Sequence, residues 1–144
     1  MIAKGLGPQA TRADVATMLN AYGIALPPEE LVTSAEAART AAAAMGYPVA
    51  MKIESPDIAH KTDAGCVRLS ISNDAEAQAA FQTIMTNAQA CKGARLLGVL
   101  VQKMMPPGVE TVMGISRDSD FGPMLLLGLG GIYVEVLRDT VLAP

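Results

Sequence analysis

The residues best suited to chemistry lie between Val49 and Gly65. Lys52 interrupts an otherwise apolar predicted strand, and His60 and Lys61 follow in a polar loop. Because a buried ammonium without a partner is costly, a lysine in the middle of such a strand is unusual. Two interpretations stay open: an edge strand whose Lys52 faces water, or a rigid strand that directs Lys52 at phosphate oxygens. The small residues of the loop would let its backbone close over a polyphosphate, which favours the second and adds Lys61 and Gly65 to the predicted phosphate site.

His60 is the only histidine of the chain. An imidazole with a pKa of about 6.5 is largely neutral at pH 7, so its nitrogen can accept a phosphoryl group without strong activation. The ammonium groups of Lys52 and Lys61 would neutralise charge on a group in transfer. The pattern predicts a transient phosphoryl carrier, and the alternative is an ordinary solvated imidazole in a surface loop.

Several common nucleotide and metal motifs are missing from the sequence. No Walker A pattern is present. The run from Gly128 to Gly131 is not a dinucleotide fingerprint, because Tyr133 stands where the third glycine belongs, and tight packing explains these glycines equally well. Cys66 and Cys91 have no metal-ligand spacing with each other or with His60, so the metal ligands stay unknown.

The composition limits the class of protein. The 144 residues suit one domain, and because aromatic residues make up only 3%, the core must consist mainly of Ala, Val, Leu, Ile and Met. The net charge of -3 argues against a nucleic-acid partner, which needs a basic stripe. There is no membrane span and no secretory signal at the start of the sequence. We expect a cytoplasmic protein.

The elements that must position Lys52 and the loop follow from caps and periodicity. A capping box at Thr11–Asp14 opens a helix that ends at Gly23. A second helix is predicted from Ser34 to Met45, and a third begins after a cap at Asn73 or Asp74. Alternation of apolar and polar residues predicts strands over 49–53 and 67–71.

The pattern changes near Gly93. Three β-rich runs, 96–104, 109–117 and 123–129, are separated by short turns and predict an antiparallel meander. We therefore predict an α/β (α+β) fold, with a first α/β subdomain over 1–93 and an incomplete antiparallel-sheet subdomain over 94–144. A helix could start over Val134 to Val141. The meander has no obvious covering element, so we expect the native polypeptide to continue beyond Pro144.

A lysine on a strand, a polar loop, a third helix and a meander together resemble the ATP-grasp architecture. Particular runs narrow the resemblance to the NDP-forming acyl-CoA synthetases, from about residue 8 to the end, with the segment Ser55 to Asp63 as its most specific part. The other runs are 21–27, 45–52, 98–104, 108–110, 117–118, 121–123 and 128–136.

The resemblance implies an activity and a partner. Enzymes of this family interconvert acyl-CoA, ADP and phosphate with free acid, CoA and ATP. A CoA-binding domain or subunit carries a phosphohistidine, and the ATP-grasp domain passes that phosphoryl group to ADP. ATP or ADP and Mg²⁺ are the implied cofactors, and the metal-ligand residues of the family fall beyond Pro144. We therefore expect no acyl-CoA synthetase turnover from this chain by itself.

The resemblance also assigns roles to residues. Lys52 matches the lysine that contacts the nucleotide phosphates, and His60 matches the second phosphoryl carrier. The segment that contacts adenine through backbone groups matches Val101, Gln102, Lys103 and Met104. Glu110 matches a carboxylate that faces the nucleotide sugar or phosphates. Lys103 replaces a common Glu of the family, and Cys66 replaces a common Gly.

Three other functions stay open at this stage. The chain could be a non-catalytic, acyl-CoA-synthetase-like regulatory domain of a protein lysine acetyltransferase. It could belong to a carboxylate–amine ligase of the wider ATP-grasp group, which makes an acyl phosphate and does not need the His60–Lys61 loop. It could also be a plain α/β interaction module.

Overall fold

The computed structural model describes residues 11–130 and 140–143 of the chain. Within these residues the protein forms two compact units, of which the first ends at Met105 and the second begins at Pro106. The first unit contains three helices and a four-stranded sheet, and the second contains a three-stranded sheet.

The three predicted helices are confirmed, and each begins directly after a polar capping residue. Thr11, Ser34 and Asn73 each accept a hydrogen bond from the backbone N–H three residues further on, which satisfies a donor that has no partner inside the helix. At the first helix the Asp14 carboxylate accepts from the Thr11 N–H at 2.9 Å, which completes the capping box. The helices are α1 (Arg12–Ala21), α2 (Ala35–Met45) and α3 (Asp74–Ala90).

The first sheet is antiparallel throughout, with the strand order β1-β4-β2-β3. Its strands are β1 (Glu29–Val32), β2 (Val49–Glu54), β3 (Val67–Ile71) and β4 (Gly98–Lys103). β2 therefore lies in the interior of the sheet, where Lys52 is opposite Leu100 on one side and Val67 on the other. The two strands predicted from alternation, β2 and β3, are confirmed.

The core of the first unit lies between one face of this sheet and the helices α2 and α3. β2 contributes Val49, Met51 and Ile53, which are all fully buried. Burial of an aliphatic side chain of this size contributes about 1.5–3 kcal/mol, so this face determines which way β2 is oriented. The helices supply mostly small residues, which lets them approach the sheet closely: Ala38, Ala41, Ala42, Ala77, Ala80, Phe81, Ile84 and Ala88.

Two features of the first sheet differ from the sequence-based prediction. β1 was missed, because four residues with two adjacent glutamates carry no clear alternation. The run 96–104 was predicted as the first strand of a meander, but β4 pairs with β1 and β2 in the centre of the first sheet. Gly98 to Val101 are all buried, which suits a strand in the centre of the sheet. The division between the units accordingly falls after Met105, whereas the predicted boundary was near Gly93.

The second unit contains β5 (Thr111–Asp118), β6 (Gly122–Leu129) and β7 (Thr140–Ala143), paired antiparallel in that order. The turn between β5 and β6 is closed by the Asp118 carboxylate, which accepts from the N–H groups of Asp120 and Phe121. These bonds lower the pKa of Asp118. The helix predicted over 134–141 lies mostly outside the described residues, and where it enters them, at 140 and 141, the prediction is wrong because the backbone pairs as β7.

We predict that Ile53→Ala lowers the free energy of unfolding of the first unit by about 2–5 kcal/mol, because it leaves a cavity between β2 and the helices. Ile53 is 0% exposed, whereas Leu69 on the neighbouring strand β3 is 66% exposed and provides the matched control. Leu69→Ala is expected to change the value by less than about 1 kcal/mol. Urea unfolding of both variants measures the difference, and equal losses would contradict this assignment of the core.

Candidate functional site

The site begins with the face of β2 that points away from α2 and α3. Residues of this strand alternate between buried and half-buried, and Lys52 and Glu54 take half-buried positions. The edge-strand interpretation of Lys52 is wrong, because β2 has a hydrogen-bonded neighbour on each side. A lysine on an interior strand has its backbone fixed, so its ammonium is directed to one region of the surface.

Arg12, from the first turn of α1, lies beside this face. Its guanidinium donates two hydrogen bonds to the Glu29 carboxylate of β1, at 2.6 and 2.7 Å. The Gln102 amide of β4 also donates to Glu29, at 2.9 Å. The bonds from Arg12 lower the pKa of Glu29, and the same pairing raises the pKa of Arg12. This two-bond geometry fixes the arginine next to Lys52 and connects α1 to the sheet.

Glu54 is the second carboxylate on this face, and it lies between two cations. Its Oε2 is 3.7 Å from the Lys61 Nζ and 3.9 Å from the Arg12 Nη1. Both distances are too long for hydrogen bonds, and among the described residues this buried oxygen has no hydrogen-bond partner.

The pKa of Lys52 is lowered, first by burial and then by the neighbouring charges of Arg12 and Lys61. Glu29 and Glu54 act in the opposite direction but do not compensate fully. Within residues 11–130, Lys52 forms no ion pair of its own, in contrast to Arg12 and Lys61. Its ammonium is therefore a cation that gains from the arrival of an anionic group.

The loop after β2 is attached at both ends. Ile58 is buried, and the Asp57 carboxylate accepts from the Arg95 N–H at 2.7 Å. At the other end Gly65, at φ +64°, is held by the Asn87 amide, which donates to the Gly65 carbonyl at 2.8 Å. A side chain at this glycine would meet the Asn87 amide at 2.8 Å.

Three backbone N–H groups near the end of this loop are engaged in hydrogen bonds within it, so these three are not free to donate to a phosphate. The N–H groups of Ala64, Gly65 and Cys66 donate to the carbonyls of residues 60, 62 and 61, respectively. They are therefore engaged in a turn. The phosphate-binding role of Gly65 stays a prediction. In the structure, Gly65 contributes to the shape of the loop.

Three of the predicted site residues line one pocket of about 410 Å³: Lys52, His60 and Lys61. Ala59, Thr62, Asp63 and Val67 complete its wall. His60 is exposed, and the side chain of Lys61 is 27% exposed. The arrangement places the predicted phosphoryl acceptor and two ammonium groups around one space.

The segment 101–104 does not line this pocket. The Lys103 N–H donates to the Pro28 carbonyl and the Met104 N–H to the Pro48 carbonyl. A contact of these two residues with a nucleobase would therefore use their own carbonyl oxygens. The Lys103 ammonium donates to the carbonyls of Gly46 and Tyr47, at 2.8 and 3.1 Å, and so closes the C-terminal end of α2. Glu110 lies in the second unit, where its carbonyl accepts from Gly130. The assigned roles of 101–104 and Glu110 stay predictions.

The described residues offer no metal site or membrane span. Within 11–130 and 140–143, no three His, Cys, Asp or Glu side chains come close enough to hold a metal ion. None of α1, α2 and α3, the helices within the described ranges, has the length and hydropathy that crossing a bilayer requires.

Comparison with known proteins identifies the family. The model of the ATP-grasp domain matches residues 7–144. The chain belongs to the ATP-grasp domain family. This result confirms the expected fold class and the resemblance noted in the sequence.

Individual relatives narrow the relationship. The subunit beta of acetate–CoA ligase [ADP-forming] I from Pyrococcus furiosus is 48% identical over 124 residues, which cover 85% of this chain and 53% of that subunit. Acetyl-coenzyme A synthetase 1 of Ca. Korarchaeum cryptofilum, in complex with coenzyme A and Ca-AMPCP, gives a TM-score of 0.82 at 36% identity, over 91% of this chain and 58% of that one.

The same Korarchaeum enzyme, in complex with coenzyme A and Mg-AMPPCP, has a phosphohistidine segment pointing towards its nucleotide binding site. That structure gives a TM-score of 0.72 at 34% identity, over 91% of this chain and 55% of that one. The chain thus spans about half the length of these relatives.

Sequence reasoning missed Arg12 and Glu54. Arg12 reads as an ordinary exposed residue in the first turn of a helix, and no local pattern connects it with Glu29. Glu54 reads as the polar end of a strand. The alternation of β2 did contain a signal for Glu54, because residues two apart on a strand share a face with Lys52.

We predict that Lys52→Met keeps or raises the free energy of unfolding at pH 7, because it removes a half-buried cation that has no ion pair of its own. The folded-state pKa of Lys52 is below its unfolded value, so the unfolded state binds more protons between the two values and the wild type gains stability as pH rises there. The advantage of the variant should therefore shrink as pH approaches about 10.4, the unfolded pKa.

Urea unfolding at neutral and alkaline pH measures this effect. Lys92→Met, at an exposed lysine after α3, is the control and should change the free energy of unfolding by no more than about 0.5 kcal/mol. A Lys52→Met variant that is less stable than the wild type by the same amount at every pH would contradict the prediction.

Proposed function

We propose that the chain is the ATP- and ADP-binding part of an ADP-forming acid–CoA ligase. In this reaction a phosphoryl group passes between a protein phosphohistidine and ADP, so that cleavage of an acyl-CoA is coupled to ATP synthesis. The observation that carries the proposal is the pocket shared by Lys52, His60 and Lys61. The Pyrococcus and Korarchaeum relatives support it, because the names of both describe acid–CoA ligation or acetyl-CoA synthesis.

His60 is the phosphoryl carrier in this proposal. A ring nitrogen of His60 bonds to phosphorus as the P–N bond of the partner's phosphohistidine breaks. The phosphorylated His60 ring gives up a proton, and the partner's imidazole takes one up. In the second step an oxygen of the ADP β-phosphate bonds to phosphorus, the P–N bond at His60 breaks, the His60 ring takes up a proton, and ATP leaves. His60 is suited to this role because it is exposed and shares a pocket with the two ammonium groups.

Lys52 and Lys61 supply electrostatic stabilisation. Negative charge on the transferred group is spread over its equatorial oxygens, and catalysis of phosphoryl transfer is mostly positioning and charge compensation. Lys52 is well placed because its backbone is fixed in an interior strand and its ammonium has no ion pair within residues 11–130. Arg12 lies beside this face and is kept in place by its two hydrogen bonds to Glu29.

The remaining assignments concern the base and the sugar. We propose that Val101, Gln102, Lys103 and Met104 contact adenine through backbone groups other than the N–H groups of Lys103 and Met104, which are engaged elsewhere. We propose that Glu110 faces the nucleotide sugar or phosphates. The Lys103 side chain supports α2 and is not assigned a contact with the base.

We propose Mg²⁺ as the companion of the nucleotide, as in the Korarchaeum complex with Mg-AMPPCP. The described residues around Lys52 do not fit a magnesium site. Both oxygens of Glu29 accept hydrogen bonds, and Glu54 lies between two cations. No step of the transfer is therefore assigned to the metal, and no residue around Lys52 is assigned to it as a ligand.

The partner in this proposal is a CoA-binding domain or subunit that carries the first phosphohistidine. The Pyrococcus relative is a beta subunit, which implies an alpha subunit for that enzyme. The regulatory alternative, a domain of a protein lysine acetyltransferase, gains no support from these relatives. The carboxylate–amine ligase alternative does not explain why the only histidine shares a pocket with two lysines.

We predict that Lys52→Ala, in the complete enzyme, weakens ADP binding about tenfold to a hundredfold, since a charged contact with phosphate contributes about 1.5–3 kcal/mol. Lys52→Arg should not restore the affinity, because the planar guanidinium is larger and differently directed. Calorimetric titration with ADP measures both variants, with Lys92→Ala as the control. Unchanged affinity in Lys52→Ala would remove this residue from the phosphate site.

We predict that His60→Ala separates the two halves of the reaction. Phosphorylation of the partner histidine from acyl-CoA and phosphate should continue, because His60 takes no part in it, while ATP formation should be lost. Radiolabelled phosphate on the partner subunit and formation of ATP are measured separately in the complete enzyme. ATP synthesis at a near-normal rate would show that the phosphoryl group passes directly to ADP.

A further inference from the structure

The carboxylate of Glu54 is the least satisfied polar group on the Lys52 face. Its side chain is 23% exposed, and its Oε2 is buried without a hydrogen-bond partner among the described residues. A buried carboxylate oxygen is costly in this state, and nearby cations reduce that cost. The two cations within 4 Å come from different parts of the fold: Arg12 from α1 and Lys61 from the loop.

These two cations are not equivalent. Arg12 is held by two short hydrogen bonds to Glu29, so its position does not depend on Glu54. Lys61, in contrast, forms its single ion pair within the described part of the chain with Glu54. Removal of the Glu54 charge would therefore leave Arg12 in place and release Lys61.

Lys61 is connected to the phosphoryl-carrier position by one peptide bond. Its carbonyl accepts from the Cys66 N–H at 2.8 Å, which closes the turn over residues 61–66, and the His60 carbonyl accepts from Ala64. Lys61 and His60 line the same pocket as Lys52. A contact that fixes the Lys61 ammonium therefore also limits where the imidazole of His60 can lie.

We propose that Glu54 is a positioning residue for this loop: it holds the ammonium of Lys61, and through Lys61 the imidazole of His60, at the pocket of Lys52. The proposal rests on the proposed function for the role of His60. It adds a residue that touches neither the nucleotide nor the transferred group, and it explains why a carboxylate stands beside a site for anions.

Hydrogen exchange of the loop amides tests the contact without any nucleotide. In Glu54→Gln, the N–H groups of residues 64–66 should exchange faster by up to about fivefold, because a partly exposed ion pair contributes at most about 1 kcal/mol. The matched control is Glu30→Gln, which removes the same charge from an exposed position on the opposite face of the sheet and should leave these rates unchanged.

A double-mutant cycle shows whether Glu54 acts through Lys61. Lys61→Gln should raise the same exchange rates, and adding Glu54→Gln to it should have no further effect. Unchanged loop exchange in Glu54→Gln, or a full effect of Glu54→Gln in the Lys61→Gln background, overturns the proposal. If Glu54→Gln does not fold, Lys61→Gln decides alone, and unchanged exchange in that variant overturns the proposal as well.

Turnover of the complete enzyme distinguishes positioning from general stability. Glu54→Gln should lower kcat for ATP formation by about fivefold with KM for ADP within about twofold, because Lys52 still binds the phosphates. Glu54→Asp should recover part of kcat, since it restores the charge at a shorter reach. A rise in KM with unchanged kcat contradicts the role. Failure of ADP to bind would instead remove the proposed function and leave the exchange result standing.

Discussion

The constraint on which the site depends is the two-faced character of β2. Its apolar residues, Val49, Met51 and Ile53, are fully buried against the helices, and a strand cannot bury them without turning the alternate residues to the other side. Lys52 and Glu54 therefore share the opposite face. Because β2 is also paired on both edges, neither side chain can become more exposed to solvent through local fraying of the strand. The buried core thus fixes the direction of the cation.

Local signals were sufficient to predict the helices, β2, β3 and the chemistry-bearing loop. A capping box, a strict alternation and a single histidine between two lysines are properties of a few neighbouring residues, and the sequence displays them directly. One pocket contains Lys52, His60 and Lys61, and this too follows from their short separation in the sequence, because only the loop lies between them.

Pairings between distant residues could not be predicted in the same way. A run such as 98–103 reads as a strand, but its place between β1 and β2 depends on partners that are far away in the sequence. Arg12 and Glu29 form their hydrogen bonds only once α1 lies on the sheet, and Lys103 reaches the end of α2 only through the register of β4 with β2. Each of these contacts is a consequence of the assembled fold, so no local sequence pattern predicts it.

The charges on the Lys52 face explain how a site for anions can be stable before an anion arrives. Three cations would repel one another strongly without compensation, and the charges of Arg12 and Lys61 add to burial in lowering the pKa of Lys52. Glu29 neutralises Arg12 through direct hydrogen bonds, whereas Glu54 is shared at longer distance between Arg12 and Lys61. This leaves the ammonium of Lys52 as the least compensated charge. A phosphate group that enters the pocket meets, on a rigid strand, a cation without an ion pair among the described residues, next to a second lysine that Glu54 keeps at the same pocket.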